Sequence, residues 1–118
     1  MRVSVKSAIE DGWHVYSLTQ KPGGPTPLTM TVLPSPPFAI AGNVTGPVPD
    51  TAFDENFGIA TETYDAPGVF VVPIKVDASA LPGPHALQVK IRSQACSDKM
   101  CLPAKTTTID VPMTVATR

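Results

Sequence analysis

Residues 87–92 read Leu87-Gln88-Val89-Lys90-Ile91-Arg92, a strict alternation of aliphatic and polar side chains. Because successive side chains of a β-strand point to opposite faces, this pattern predicts a strand with one buried and one solvated face. The period of two recurs in Leu28, Met30 and Val32, in Phe70, Val72, Ile74 and Val76, and in Ile109, Val111, Met113 and Val115. The pattern therefore predicts a protein built mainly from β-strands.

Proline and glycine divide these strands. The 118 residues include 14 prolines, more than double the usual frequency of about 5%. Proline lacks a backbone N–H and clashes with the preceding helical turn, so long helices are disfavoured. About seven or eight short strands separated by turn signals are typical of an antiparallel β-sandwich. We predict that residues 1–118 form a single all-β domain of that class.

Three residues carry more local expectations. Pro73 and Pro112 fall inside two predicted strands, and because proline cannot donate to a neighbouring strand, both positions predict an edge strand or a bulge. Trp13 is expected to anchor the core, as a lone tryptophan in a sandwich commonly does.

The charge pattern excludes several classes of partner. Nine basic and ten acidic residues give a net charge of −1, without the basic run or basic–aromatic stripe that binds nucleic acid. The apolar run Val69-Phe70-Val71-Val72 is far shorter than the roughly 18 residues of a membrane-spanning helix. We therefore expect neither nucleic-acid binding nor direct membrane binding.

Cys96 and Cys101 are the two cysteines, with four polar or flexible residues between them. A disulfide closing so short a ring removes chain entropy worth only about 2 kcal/mol, whereas staples that join distant segments stabilise more in theory. The spacing therefore fits a redox device, and a static hairpin disulfide is the alternative. A close pair suits the periplasm or another oxidising compartment, or a redox-active protein elsewhere.

Other chemistry has weaker support. The soft ligands that could hold copper are Cys96, Cys101, Met100, His14 and His85. However, Leu102-Pro103-Ala104 follows Cys101 where a blue-copper site usually has histidine and methionine, and zinc usually needs four ligands. We expect no metal and no other cofactor. His14 and Tyr16 share one face of a predicted strand and either line a site or form a surface pair.

Four segments of the chain occur in an order known from one family. They are Asp11-Gly12-Trp13-His14-Val15-Tyr16, Asp54-Glu55-Asn56-Phe57-Gly58, Val71-Val72-Pro73-Ile74 and Gln94-Ala95-Cys96-Ser97-Asp98-Lys99-Met100-Cys101-Leu102-Pro103. Together they resemble the N-terminal periplasmic domain of the thiol:disulfide interchange protein DsbD. The resemblance implies an immunoglobulin-like β-sandwich that acts in the periplasm as a protein-disulfide reductase. It also implies electrons accepted from a thioredoxin-like domain of the same or a partner protein, and passed to a disulfide isomerase or a cytochrome c maturation thioredoxin. Any membrane contact would come through an attached transmembrane domain.

The resemblance also implies roles for individual residues. It matches Cys101 to the attacking thiolate and Cys96 to the resolving cysteine. It matches a cap loop with a shielding aromatic residue to the segment from Asp54 and Glu55 to Gly58. Asn56 stands where that aromatic is expected and Phe57 follows it, so either Phe57 does the shielding or the cap works differently.

Two neighbours of the pair are matched by the same family pattern. His14 replaces a more usual tyrosine, while Tyr16 is kept. The competing prediction is a non-catalytic immunoglobulin-like binding module with a permanent disulfide, which would resist mild thiols where a relay exchanges readily.

Overall fold

A computed structural model describes residues 1–21 and 23–116, and the regular structure in these residues consists of strands. The strands are β1 (Arg2–Ser7), β2 (His14–Tyr16), β3 (Thr29–Val32), β4 (Phe38–Ile40), β5 (Asp50–Asp54), β6 (Ile59–Tyr64), β7 (Gly68–Val76), β8 (Gly83–Ser93), β9 (Ala95–Cys96) and β10 (Lys105–Val115). Within the described ranges there is no helix that could cross a membrane. The prediction of an all-β fold is confirmed.

The strands form three sheets in which all neighbouring strands run antiparallel. Two sheets have three strands each, in the orders β1-β7-β4 and β10-β8-β3, and the third has four strands in the order β5-β6-β2-β9. The longest ladder joins β8 and β10, from the pair Ser93 and Lys105 to the pair Gly83 and Val115. The alternating residues 87–92 therefore lie in the middle strand of their sheet.

The hydrophobic core is built from the alternating residues of the two three-stranded sheets. Leu87 and Val89 from β8 and Val72 from β7 are completely buried. They belong to one cluster with Val3, Leu28, Met30, Phe38, Tyr64, Phe70, Ile74 and Val115. Burial of one face of each strand is what the period of two predicts. Tyr64, from β6, connects the four-stranded sheet to this core.

The expectation for Trp13 is wrong, whereas that for Pro73 holds as a bulge in the neighbouring segment and not as an edge strand. Trp13 precedes β2 and is only half buried; Val15, two residues further on, packs on the core cluster, and Trp13 lies beyond it in a groove at the surface. Pro73 lies in β7, the middle strand of its sheet. The segment that pairs with β7 on the β4 side is irregular at this point. Ala41 N donates to Pro73 O, and the next pairing joins Thr45 to Val71. Residues 42–44 are therefore unpaired beside Pro73, which has no N–H to donate. Pro112 lies in β10, an edge strand, as expected.

Candidate active site

The two cysteines close a tight hairpin at the edge of the four-stranded sheet. Cys96 ends β9 and is bonded to Cys101 by a disulfide, with their Cα atoms 4.0 Å apart. Leu102 N donates to Ala95 O at 2.9 Å on one side of the disulfide, and Ser97 N donates to Met100 O at 2.8 Å on the other. The sulfurs therefore link two residues that already face each other in a backbone pairing.

The two members of the pair differ in exposure. Cys96 is completely buried, whereas Cys101 is only partly buried. Disulfide exchange requires a thiolate to reach one of the sulfurs, and the rate depends on which sulfur is accessible. Of the two cysteines, Cys101 is therefore the one that keeps surface open to solvent.

Two side chains hold the hairpin in shape. Ser97 Oγ accepts hydrogen bonds from Lys99 N and Met100 N, both at 3.2 Å, which orders the turn between the cysteines. Gln94 bridges the other end: its Oε1 accepts from Thr26 N at 2.9 Å and its Nε2 donates to Leu102 O at 3.3 Å. The hairpin is thus fixed to the body of the domain by side chains on both sides of the disulfide.

Strand β2 places two polar side chains on the face that carries Cys96. His14 is the direct partner of Cys96 in the β2–β9 pairing, and directly opposite residues project from the same face of a sheet. Tyr16 lies two residues further along that face and is completely buried. Its hydroxyl donates to Asp54 Oδ2 at 2.5 Å and lies 3.1 Å from His14 Nε2. Because the tyrosine proton is used on Asp54, a hydrogen bond between Oη and His14 requires the tautomer of His14 that carries a hydrogen on Nε2.

Asp54 is a buried carboxylate, with 7% of its surface exposed. A buried charge is costly unless hydrogen bonds replace its water, and Asp54 has three such donors. Oδ2 accepts hydrogen bonds from Tyr16 Oη and, at 3.4 Å, from Thr61 Oγ1. Oδ1 accepts a hydrogen bond from Asn56 N at 2.9 Å. Burial, reinforced by the hydrogen bond to this carboxylate and by its charge, raises the pKa of Tyr16 well above its ordinary value.

The loop that follows β5 turns back on Asp54 and contacts the cysteine hairpin. Gly58 N donates to Asp54 O at 2.7 Å, and Gly58 has a φ of +69°, in the left-handed region that glycine adopts without strain. The Phe57 ring packs edge-on against Tyr16 at 5.9 Å. Asn56 Nδ2 donates to Ser97 O at 2.9 Å. Phe57 therefore packs on the base of the site while Asn56 ties the loop to the hairpin.

The structure brings the eight candidate residues into one region. Cys96, Cys101, His14, Tyr16, Asp54, Asn56 and Phe57 are connected by the contacts above. Glu55 is exposed and lines a cleft of about 370 Å³ together with His14, Asp54 and Ser97. Sequence reasoning missed the supporting roles of Gln94, Ser97 and Thr61. The sequence offered one indication, a short polar turn between two cysteines, in which serine commonly bonds the backbone two residues on.

Comparison with known proteins adds two findings. A family model described as "Thiol:disulfide interchange protein DsbD, N-terminal" matches residues 1–113. The crystal structure of the Neisseria meningitidis DsbD N-terminal domain in the reduced form superposes with a TM-score of 0.64 at 19% sequence identity, covering 95% of this chain and 77% of that chain. No curated protein sequence matches. The structural match confirms the prediction of an immunoglobulin-like sandwich.

The burial of Tyr16, together with its hydrogen bond to Asp54, predicts alkaline destabilisation. The unfolded chain loses tyrosine protons near about pH 10, whereas the pKa of native Tyr16 lies higher. This contribution to the free energy of unfolding is therefore complete below about pH 10 and is lost as the pH rises toward the native pKa. Urea unfolding from neutral to alkaline pH, followed alongside tyrosinate absorbance, measures both quantities.

A matched pair of variants separates Tyr16 from Tyr64, whose pKa burial also raises. In Tyr64→Phe one tyrosine remains, and its ionisation should still be delayed. Adding Asp54→Asn removes the negative charge that opposes tyrosinate and should move that ionisation to lower pH. An unchanged titration in the double variant would show that Asp54 does not control Tyr16.

Proposed function

This chain belongs to the family of DsbD N-terminal domains, and we propose that it is a periplasmic protein-disulfide reductase that relays electrons between thioredoxin-like partners. Thiol–disulfide interchange is the activity of the family. The observation that carries the proposal is the unequal exposure of a disulfide-bonded pair, buried at Cys96 and partly open at Cys101. The donor would be a thioredoxin-like domain of the same or another protein, and the acceptor a disulfide isomerase or a cytochrome c maturation thioredoxin.

The proposed reaction moves two electrons in two exchanges. In the reduced domain, the Cys101 thiolate attacks one sulfur of the acceptor's disulfide, and the acceptor's other sulfur leaves as a thiolate. The Cys96 thiolate then attacks Cys101 Sγ, which releases the acceptor as a dithiol and forms the Cys96–Cys101 disulfide. The donor's dithiol reduces this disulfide by the same steps in reverse order. Cys96 needs no access to the partner in either direction, which fits its burial.

The loop of residues 54–58 is proposed to be the cap of this site. Its base is held by buried contacts of Asp54 and Phe57 with Tyr16, and its tip by one exposed bond from Asn56 to Ser97. An exposed hydrogen bond contributes only about 1 kcal/mol, so a partner could displace the tip without disturbing the base. Asn56 is therefore the proposed latch and Phe57 the anchor.

The competing function is a binding module with a permanent disulfide, and the reduction potential distinguishes the two. Equilibration of the chain against glutathione buffers should give a value between about −180 and −270 mV, the range spanned by thiol exchangers. A value below about −300 mV is typical of structural disulfides and would identify a stapled binding module instead.

The order of attack predicts which cysteine is trapped by a partner. Reduced Cys96→Ser, mixed with an oxidised thioredoxin-fold domain, should accumulate a lasting mixed disulfide at Cys101, because no second thiol resolves it. Cys101→Ser is the matched control and should trap little partner. Both variants should keep their circular-dichroism spectrum, since the ring contributes only about 2 kcal/mol. Equal trapping by the two variants would contradict the assignment of Cys101.

The latch predicts faster disulfide reduction when Asn56 is truncated. Asn56→Ala removes the bond to Ser97 O, and a loss of about 1 kcal/mol corresponds to a rise of roughly fivefold in the open population. The second-order rate constant for reduction by dithiothreitol should rise by about that factor. Asn43→Ala, which changes an exposed asparagine outside the site, should leave the rate unchanged. No acceleration in Asn56→Ala would exclude a latch at this position.

A further inference from the structure

We propose that an apolar groove beside the cysteine hairpin is the docking surface for a thioredoxin-like partner whose contact face is apolar and positively charged. The groove has a volume of about 320 Å³ and is lined by Ala8, Ile9, Trp13, Val15, Ala95 and Leu102, with Glu10 at its margin. We call it the hairpin groove. The proposal rests on the exchange function above and identifies the chemistry of the partner that this site takes.

The hairpin groove adjoins the reactive pair directly. Leu102 follows Cys101, and Ala95 precedes Cys96; the two groove residues are joined by the Leu102 N to Ala95 O hydrogen bond. Adjacent residues of an extended segment project to opposite faces. Cys101 and the hairpin groove therefore lie on opposite faces of the same hairpin edge. A partner that approaches along this edge can contact both.

The side chains at this edge are ones that protein interfaces favour. Leu102 is 42% exposed, and Met100, two residues before it in the hairpin, is 52% exposed. Trp13 is half buried and keeps part of its ring in solvent. Tryptophan and methionine are enriched in the contact regions of protein–protein interfaces, and methionine adapts its shape to different partners. The incomplete burial of Trp13 is thereby explained as part of a binding surface.

Charge selects the kind of partner. Three clefts surround the hairpin, and they are lined by the carboxylates of Glu10, Asp11, Asp54, Glu55, Asp65 and Asp98. In the part of the chain that the structure describes, no lysine or arginine lines these clefts, and Lys99 is the cation of the hairpin turn itself. Charge complementarity steers encounter and suppresses wrong partners. A positively charged contact face is therefore favoured, and a second copy of this chain would bring its own acidic margin against the first.

Reduction of three synthetic peptide disulfides tests the proposal. Each is a symmetric dimer of a peptide with one cysteine. In the first peptide, leucines flank the cysteine and lysines follow the leucines on each side. The second peptide has glutamates in place of the lysines, and the third has serines in place of the leucines. Rates with the reduced chain are divided by rates with dithiothreitol, which removes differences in intrinsic reactivity. At low ionic strength the lysine–leucine peptide should react about tenfold faster than the glutamate peptide, the lower end of electrostatic steering. The serine peptide should also be slower.

Variants assign each preference to its residues. Leu102→Ser should remove the preference for leucine over serine. Asp11→Asn combined with Asp98→Asn should reduce the preference for lysine over glutamate. Leu81→Ser and Asp110→Asn are the matched controls, since Leu81 is 75% exposed and Asp110 lies on β10 away from the clefts, and both should retain both preferences.

The outcomes separate this proposal from the function on which it rests. Reduction of all three peptides at equal normalised rates would overturn the docking surface and leave exchange intact. Failure to reduce any peptide would instead contradict the exchange function. Concentration-dependent self-association that Leu102→Ser abolishes would identify a second copy as the occupant and overturn the proposed partner.

Discussion

The site depends on one buried hydrogen bond, from the Tyr16 hydroxyl to the Asp54 carboxylate. It joins β2, which is paired with the cysteine strand, to the end of β5, where the cap loop begins. A buried carboxylate is tolerated when donors replace its hydration, and here those donors come from three segments of the chain. These hydrogen bonds form only when β2, β6 and the loop of residues 54–58 are all in place. The position of the loop is therefore coupled to the pairing of β2 with β9, which positions Cys96.

The loop of residues 54–58 has two attachments of unequal strength, and for the proposed cap that inequality is a physical basis for selective opening. The attachment at Asp54 and Phe57 lies against buried Tyr16, where breaking a polar contact leaves groups unsatisfied and costs more. The attachment at Asn56 is exposed, and water can replace it. A partner that competes for the Ser97 carbonyl or for the space above it needs to break only the weaker one. The base of the loop then limits how far the tip moves.

The sequence predicted the parts of the fold that are repetitive. Alternation over residues 87–92 and 109–115 was sufficient for β8 and much of β10, because long strands buried on one face show their period directly. Strands β2 and β9 have three and two residues, too few for a period, and they form through pairing with distant segments. Asp54 and Tyr16 are 38 residues apart. Neither composition nor periodicity brings such distant residues together, and only the family resemblance placed both of them near the site. Trp13 was misjudged because periodicity places it on the same face as Val15 but does not reveal that the core reaches Val15 and not Trp13.

In the proposed relay, the same carboxylates bear on reactivity and on the choice of partner. Six of them line the clefts around the hairpin, and like charges repel, so they oppose the approach of a thiolate whose surroundings do not offset them. A docking partner with the proposed positive contact face would offset that repulsion at the moment of exchange. Recognition and activation are then one electrostatic event. A relay of the proposed kind would therefore discriminate by reaction rate as well as by affinity.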